Sequence, residues 1–175
     1  MSIQFVVKQW FLVPQEKVYD ALLDLDAAKH WMEGLVRMER LDEGPMKVGS
    51  EWKETQKMYG KEATEYFKVV ELERPNKIVL YVDGTRGSTG KGQYKYTYTL
   101  RSTGNATEVT LNGEISGLTG ITKIFGKMMK NIFAKAIAKE MATLKKYLET
   151  PHKKGGIWMS KNRTIPEVDE YISKL

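Results

Sequence analysis

Trp52, Glu54, Gln56 and Met58 fall at alternate positions of one short segment, WKETQKM. In an extended strand all four side chains share a face. If Trp52 and Met58 turn inward, Glu54 and Gln56 go with them. A carboxyl group facing an apolar space holds its proton to higher pH, and can then serve as general acid or base or anchor a hydroxyl. Two other arrangements remove that chemistry: a register bulge that returns Glu54 to solvent, or an internal pair with an inward cation. These are the preferred reading from sequence. Glu54 is nonetheless the one candidate acid/base residue, and whether the chain is an enzyme stays open.

Other residue types that do chemistry are sparse. Tyr94, Tyr96 and Tyr98 alternate with Lys95, Thr97 and Thr99, so three phenols either converge on a ligand or pack across strands. His30, beside Trp31, has no serine and acid spaced for a triad and reads as a residue at a short helix end. Asp20, Asp24 and Asp26 suit capping or solvated positions better than metal binding. The glycines of GTRGSTGKG (84–92) match no phosphate-binding spacing, and a strand follows them where a helix is required. They read as a hairpin loop, or as a mobile lip over a pocket mouth. Cysteine is absent, which excludes disulfides and thiol catalysis, and two histidines (His30, His152) are too few for structural zinc. No metal and no cofactor is expected.

The elements that must hold these residues follow from periodicity. Residues 3–13 read as a strand. Pro14 opens a helix whose stripe is Val18, Tyr19, Leu22, Leu23 and Leu25, and Asp26 caps a second short helix that Gly34 stops. Candidate strands at 35–42, 49–59, 62–73, 77–83, 91–101 and 106–116 have short links and predict an antiparallel meander. A helix over 119–149 spans ~45 Å at ~1.5 Å per residue. Pro151 and Gly155-Gly156 mark a linker, and Thr164 caps a short helix to Leu175. The class is therefore α+β: a curved seven-stranded antiparallel sheet wrapped around the long C-terminal helix, with two short helices between the first two strands. The domain covers 1–150 and a tail covers 151–175. Apolar doublets at 124/125, 128/129, 132/133 and 136/137 drift round the long helix, as a twisted sheet requires. They predict that Phe125, Met128, Met129 and Ile132 roof a cavity while the C-terminal half of the helix packs on the sheet.

Particular residues at particular places sharpen this picture. Pro14 with Val18, Tyr19 and Leu22, then Asp24 and Trp31, then Val48-Gly49 leading to Trp52, resemble the START-like helix-grip superfamily, also called SRPBCC. Gly60, the segment Val69–Pro75, the paired strands within 94–111 and the helix at 119–149 continue the match over about residues 3–149. The branch it most resembles is the polyketide cyclase/dehydrase and lipid-transport group. That resemblance implies an internal apolar cavity without implying one activity.

The net charge of +6 sits unevenly: residues 1–117 hold 16 basic and 17 acidic residues, residues 118–175 hold 12 and 5. Lysines along the long helix invite a nucleic-acid or anionic-membrane reading. The aromatics are not interleaved with them, so a solvated face is preferred, no nucleic acid is expected, and transient membrane contact is the lesser alternative. No signal peptide or spanning segment is legible, and the cytoplasm is the expected location. The terminal Ser173-Lys174-Leu175 would be a peroxisomal address only in a eukaryote. The leading expectation is binding or transfer of a small hydrophobic or amphipathic molecule, lipid- or polyketide-like. Its site would draw on Trp31, Trp52, Glu54, Gln56, Met58, Tyr94, Tyr96, Tyr98, Phe125, Met128, Met129 and Ile132. The alternatives are a cyclase or dehydratase using Glu54 in the same pocket, and a co-chaperone-like interaction module. Ligand identity and oligomeric state are not legible.

Overall fold

Strand β1 (Ile3–Phe11) buries Ile3, Phe5, Val7 and Phe11 and exposes Gln4, Val6 and Lys8, so its two faces sort by alternation alone. In the computed structural model the chain is described over residues 2–58, 60–118 and 120–151, with the backbone alone for residues 58, 120–127 and 129. After β1 come helix α1 (Gln15–Leu23), one 3-10 turn (Ala28–His30) and β2 (Leu35–Arg40). Then follow β3 (Glu51–Met58), β4 (Lys61–Glu73), β5 (Lys77–Asp83), β6 (Gln93–Thr103) and β7 (Ala106–Ser116). The last element among the described residues is the 30-residue helix α2 (Gly120–Glu149).

The strands form one antiparallel sheet in the order β1-β7-β6-β5-β4-β3-β2. Thus β2 to β7 is the expected meander, and β1 joins it beside β7, in register from Ile3 opposite Ile115 to Phe11 opposite Thr107. The main core lies where β1, β7, β6 and α1 meet the end of α2. Phe11, Val18, Val109, Leu111 and Leu144 are fully buried there. Each such side chain contributes ~1.5–3 kcal/mol by leaving water.

Two expectations are corrected. The second short helix is a single 3-10 turn of three residues. Asp26 does not cap it, since no side chain hydrogen-bonds its first turn; Asp24 Oδ1 instead accepts the backbone N–H groups of Asp26 and Ala27 in the turn that follows α1, at 3.1 and 3.0 Å. The chain therefore turns two residues earlier than the stripe through Leu25 suggests. Asp20 makes a two-pronged pair with Arg74, and His30 stacks on Tyr147 with ring centroids 5.9 Å apart. The linker and tail, including His152 and the terminal Ser-Lys-Leu, lie outside the described residues.

Candidate functional site

Between the inner face of β2–β6 and the second half of α2 lies a cavity of ≈ 230 Å³. Alternation supplies its sheet wall. Trp52, Glu54 and Gln56 of β3 stand opposite Phe67, Glu65 and Ala63 of β4, and all six side chains line the space. Tyr94, Tyr96 and Tyr98 of β6 continue the wall, with Leu80 and Val82 of β5 between. Trp31 and Met32 close one end, from the loop after α1. Helix α2 contributes Phe133, Ala136, Ile137, Glu140, Met141 and Leu144, at spacings of three and four that make one face of a helix. Ring contacts tie the walls together: Trp52 stacks on Phe67 at 5.3 Å, and Tyr94 meets Phe133 edge-on at 6.2 Å.

Glu54 faces inward and is 8% exposed. Neither arrangement that would remove its chemistry is present. The register between β3 and β4 is unbroken from Glu51 to Met58, and the bulges sit elsewhere, at Leu35/Arg37 and Val69/Glu71. No lysine, arginine or histidine lines the cavity among the described residues. The partner of Glu54 is Gln56, whose Nε2 donates to Glu54 Oε1 at 2.6 Å and lies 3.3 Å from Glu140 Oε1 on the helix. One amide thus bridges two carboxyl groups from opposite walls.

That enclosure changes their acidity. Burial, then the charge of Glu140, pushes Glu54 up to about 7, against the opposing pull of Gln56 and the nearby Trp52 indole N–H. Burial pushes Glu140 up to about 7 as well, with Gln56 opposing. Tyr96 and Tyr98 are half-open to the cavity yet surrounded by protein, and burial raises both phenols well above their usual range. At neutral pH the space therefore holds neutral phenols and a carboxyl pair that keeps its protons to higher pH than ordinary carboxylates do.

The glycine loop is a fastened lip. Ser88 N–H donates to Thr64 O at 2.8 Å, Thr64 N–H donates to Ser88 Oγ at 2.7 Å, and Thr89 N–H donates to Glu65 Oε1 at 2.9 Å. Thr89 reaches the cavity wall. A Cβ on Gly87 would stand 2.1 Å from Glu65 Oε2, so only glycine lets the loop approach β4 this closely.

A family model described as "Polyketide cyclase / dehydrase and lipid transport" matches residues 3–149. The chain belongs to that family. No curated protein matches it. Among solved structures, TTHA0849 of Thermus thermophilus has a TM-score of 0.68 at 15% identity, covering 83% of this chain and 97% of its own. The major latex-like protein 151 of Panax ginseng gives 0.70 at 9% identity, over 83% and 97%. The di-domain ARO/CYC StfQ of the steffimycin biosynthetic pathway gives 0.70 at 12% identity, and this family member spans about half of it (85% and 51%). These likenesses establish the helix-grip fold.

Of the twelve site residues expected from sequence, Trp31, Trp52, Glu54, Gln56, Tyr94, Tyr96 and Tyr98 stand around the cavity. The side chains of Met58, Phe125 and Met129 lie outside the described residues. Met128 and Ile132 are corrected: at 68% and 40% exposure they face outward. The second half of α2, expected only to pack on the sheet, roofs the cavity as well. Glu65 and Glu140 were not foreseen. Glu65 follows from standing opposite Glu54. Glu140 is the lone acid between residues 118 and 148, and it sits on the apolar stripe instead of among the lysines. That was the available signal.

Lys130, Lys135 and Lys146 of α2 are exposed, Lys139 pairs with Glu33, and Lys145 pairs with Glu149. Among the described residues no helix is long and apolar enough to cross a membrane, and no three acidic or histidine side chains are grouped to hold a metal ion.

Proposed function

We propose that this family member binds a small amphipathic molecule inside the cavity, its apolar body against the aromatic wall and its polar end at Glu54, Gln56 and Glu140. One observation carries the reading: an internal space of ≈ 230 Å³ is walled by apolar and aromatic side chains, with a hydrogen-bonded polar group reaching across it. Apolar burial supplies affinity, and the few polar groups set orientation. By the proportion in which a cavity of ~150 Å³ holds benzene, the space suits about nine or ten non-hydrogen atoms. The family's description, which joins polyketide cyclases and dehydrases with lipid transport, is consistent with such a ligand. Native mass spectrometry of freshly purified protein, set against its denatured mass, tests the proposal. A retained small molecule is expected. Repeated absence of one, together with no thermal shift across amphipathic and aromatic compounds, would reject it.

A second reading has its own observation: two carboxyl groups held near pH 7 face one substrate-sized space. One carboxylate takes a proton from carbon while the other carboxyl group protonates a departing hydroxyl. A double bond forms and water leaves. General acid–base catalysis of this kind contributes ~10²–10⁴-fold. Glu54→Gln is then expected to lower turnover at least a hundredfold while ligand affinity changes less than tenfold. Unchanged turnover rejects catalysis and leaves binding standing.

A further inference from the structure

The ionisable groups around the cavity are all acids. Asp24 lines it from the loop after α1, Glu54 from β3, Glu65 from β4, Glu140 from α2, and three tyrosines from β6; β2 and β5 present Met38, Leu80 and Val82. Among the described residues nothing positive faces them. Asp24 is engaged locally by the backbone of Asp26 and Ala27, and Glu65 Oε1 by Thr89, while Glu65 Oε2 is buried without a partner. Glu54 and Glu140 share the Gln56 amide, which donates at most two hydrogens to two groups able to accept several more.

A second, independent observation lies beside them. The indole N–H of Trp52 is buried on a side chain only 3% exposed that lines the cavity, and it has no partner in full hydrogen-bond geometry. The Trp31 indole N–H, also on the cavity wall, is buried and unpartnered too. Native proteins rarely leave such donors unsatisfied. The indoles are too enclosed to meet a ligand, but a cation is what the carboxyl pair lacks. The rings of Trp31, Trp52, Phe67 and the tyrosines add negative π-faces, which attract an ammonium group and are indifferent to a carboxylate.

Resting on the cavity reading above, we propose that the molecule bound here is a lipophilic amine, held as its ammonium ion by Glu54 and Glu140. A fatty acid is the wrong ligand for this space. Its head would add another negative charge beside two carboxyl groups that already resist ionising together.

Three probes of matched size separate the possibilities: octylamine, 1-octanol and octanoate, titrated by calorimetry at pH 7.5. Octylamine is expected to bind at least tenfold more tightly than octanol, and octanoate more weakly than either. Glu54→Gln and Glu140→Gln, made singly so that one unstable variant does not end the test, are each expected to cut the ratio of octylamine to octanol affinity at least fivefold. If octanol equals octylamine, or octanoate binds best, the amine assignment is wrong and the cavity reading survives. The same holds if the preference persists in both variants. If none of the three binds and native mass spectra show no retained molecule, the cavity reading fails and takes this one with it.

Discussion

The two halves of the sheet's inner face obey one alternation and end in opposite states. On β1, β7 and the end of β6, the inward residues are Phe5, Val7, Phe11, Leu100, Val109 and Leu111, and they are buried in one core with Leu144 and Leu148. On β3 and β4 the inward residues include Glu54, Gln56, Ala63 and Glu65, and there the cavity opens. Two glycines repeat the contrast. Gly113 of β7 makes room for the Phe5 ring, whose Cζ would lie 2.1 Å from an added Cβ; Gly87 makes room for the Glu65 carboxylate at the same distance. The pleat decides which side chains point inward. Their chemistry decides whether the space fills, because an apolar ring packed onto a carboxyl group strips its remaining hydrogen-bond partners without replacing them.

The largest effect should come from opening the filled half. Leu111→Ala removes a fully buried side chain. It is expected to cost ~2–5 kcal/mol, read as a lower urea midpoint with unchanged slope. A loss below ~1 kcal/mol would mean that this half is not close-packed.

Next in size is the pH response of the open half. Glu54 is held at about 7 in the folded protein against an ordinary value of 4.5. Between those values the folded state binds more protons than the unfolded one. Stability therefore falls as pH rises through this window, with the full penalty present above pH 7 and amounting to ~3 kcal/mol for this group. Glu54→Gln should make the profile between pH 5 and 8 shallower, the remaining slope coming from Glu140, and leave the variant more stable than its parent at pH 8. Parallel profiles in thermal denaturation would contradict the burial of this carboxyl group.

The glycine pair comes third. Gly113→Ala drives a methyl into the Phe5 ring and is expected to cost ~1–3 kcal/mol globally. Gly87→Ala displaces the Glu65 carboxylate and presses on Thr64 O, 2.7 Å away. Its effect should stay local, seen as faster amide exchange at Ser88 and Thr89 with little change in midpoint. Equal global losses would erase the distinction between the two halves. Smallest in stability is Ala63→Leu, which adds volume to empty space. It should change stability by under ~1.5 kcal/mol yet weaken octanol binding severalfold by calorimetry.

Much of the site was legible because strand geometry is local. From WKETQKM and the run of alternate tyrosines, six cavity side chains follow by counting in twos. The helix was read less well. Its doublets point by sequence to Met128 and Ile132, yet the sheet meets the face of Phe133, Ile137, Glu140 and Leu144. Lysine-rich surroundings hid Glu140, since a charged residue on a basic helix is ordinarily solvated. Asp24, and not Asp26, holds the turn after α1, because a two-residue shift of a turn costs almost nothing in propensity.

By itself, then, the sequence determined the order of elements, the inward face of each strand, and the presence of one carboxyl group among aromatics. These follow from hydrophobic period and turn chemistry, which act over a few residues. The tertiary structure alone decided that Glu54 stays inward without a cation, that Glu140 meets it through Gln56, and that the glycine loop is fastened to β4. Each joins residues 24 or more positions apart, apart from the local Gln56–Glu54 bond. Such contacts depend on the rotation of α2 and the register of β3 on β4, and local propensity constrains neither.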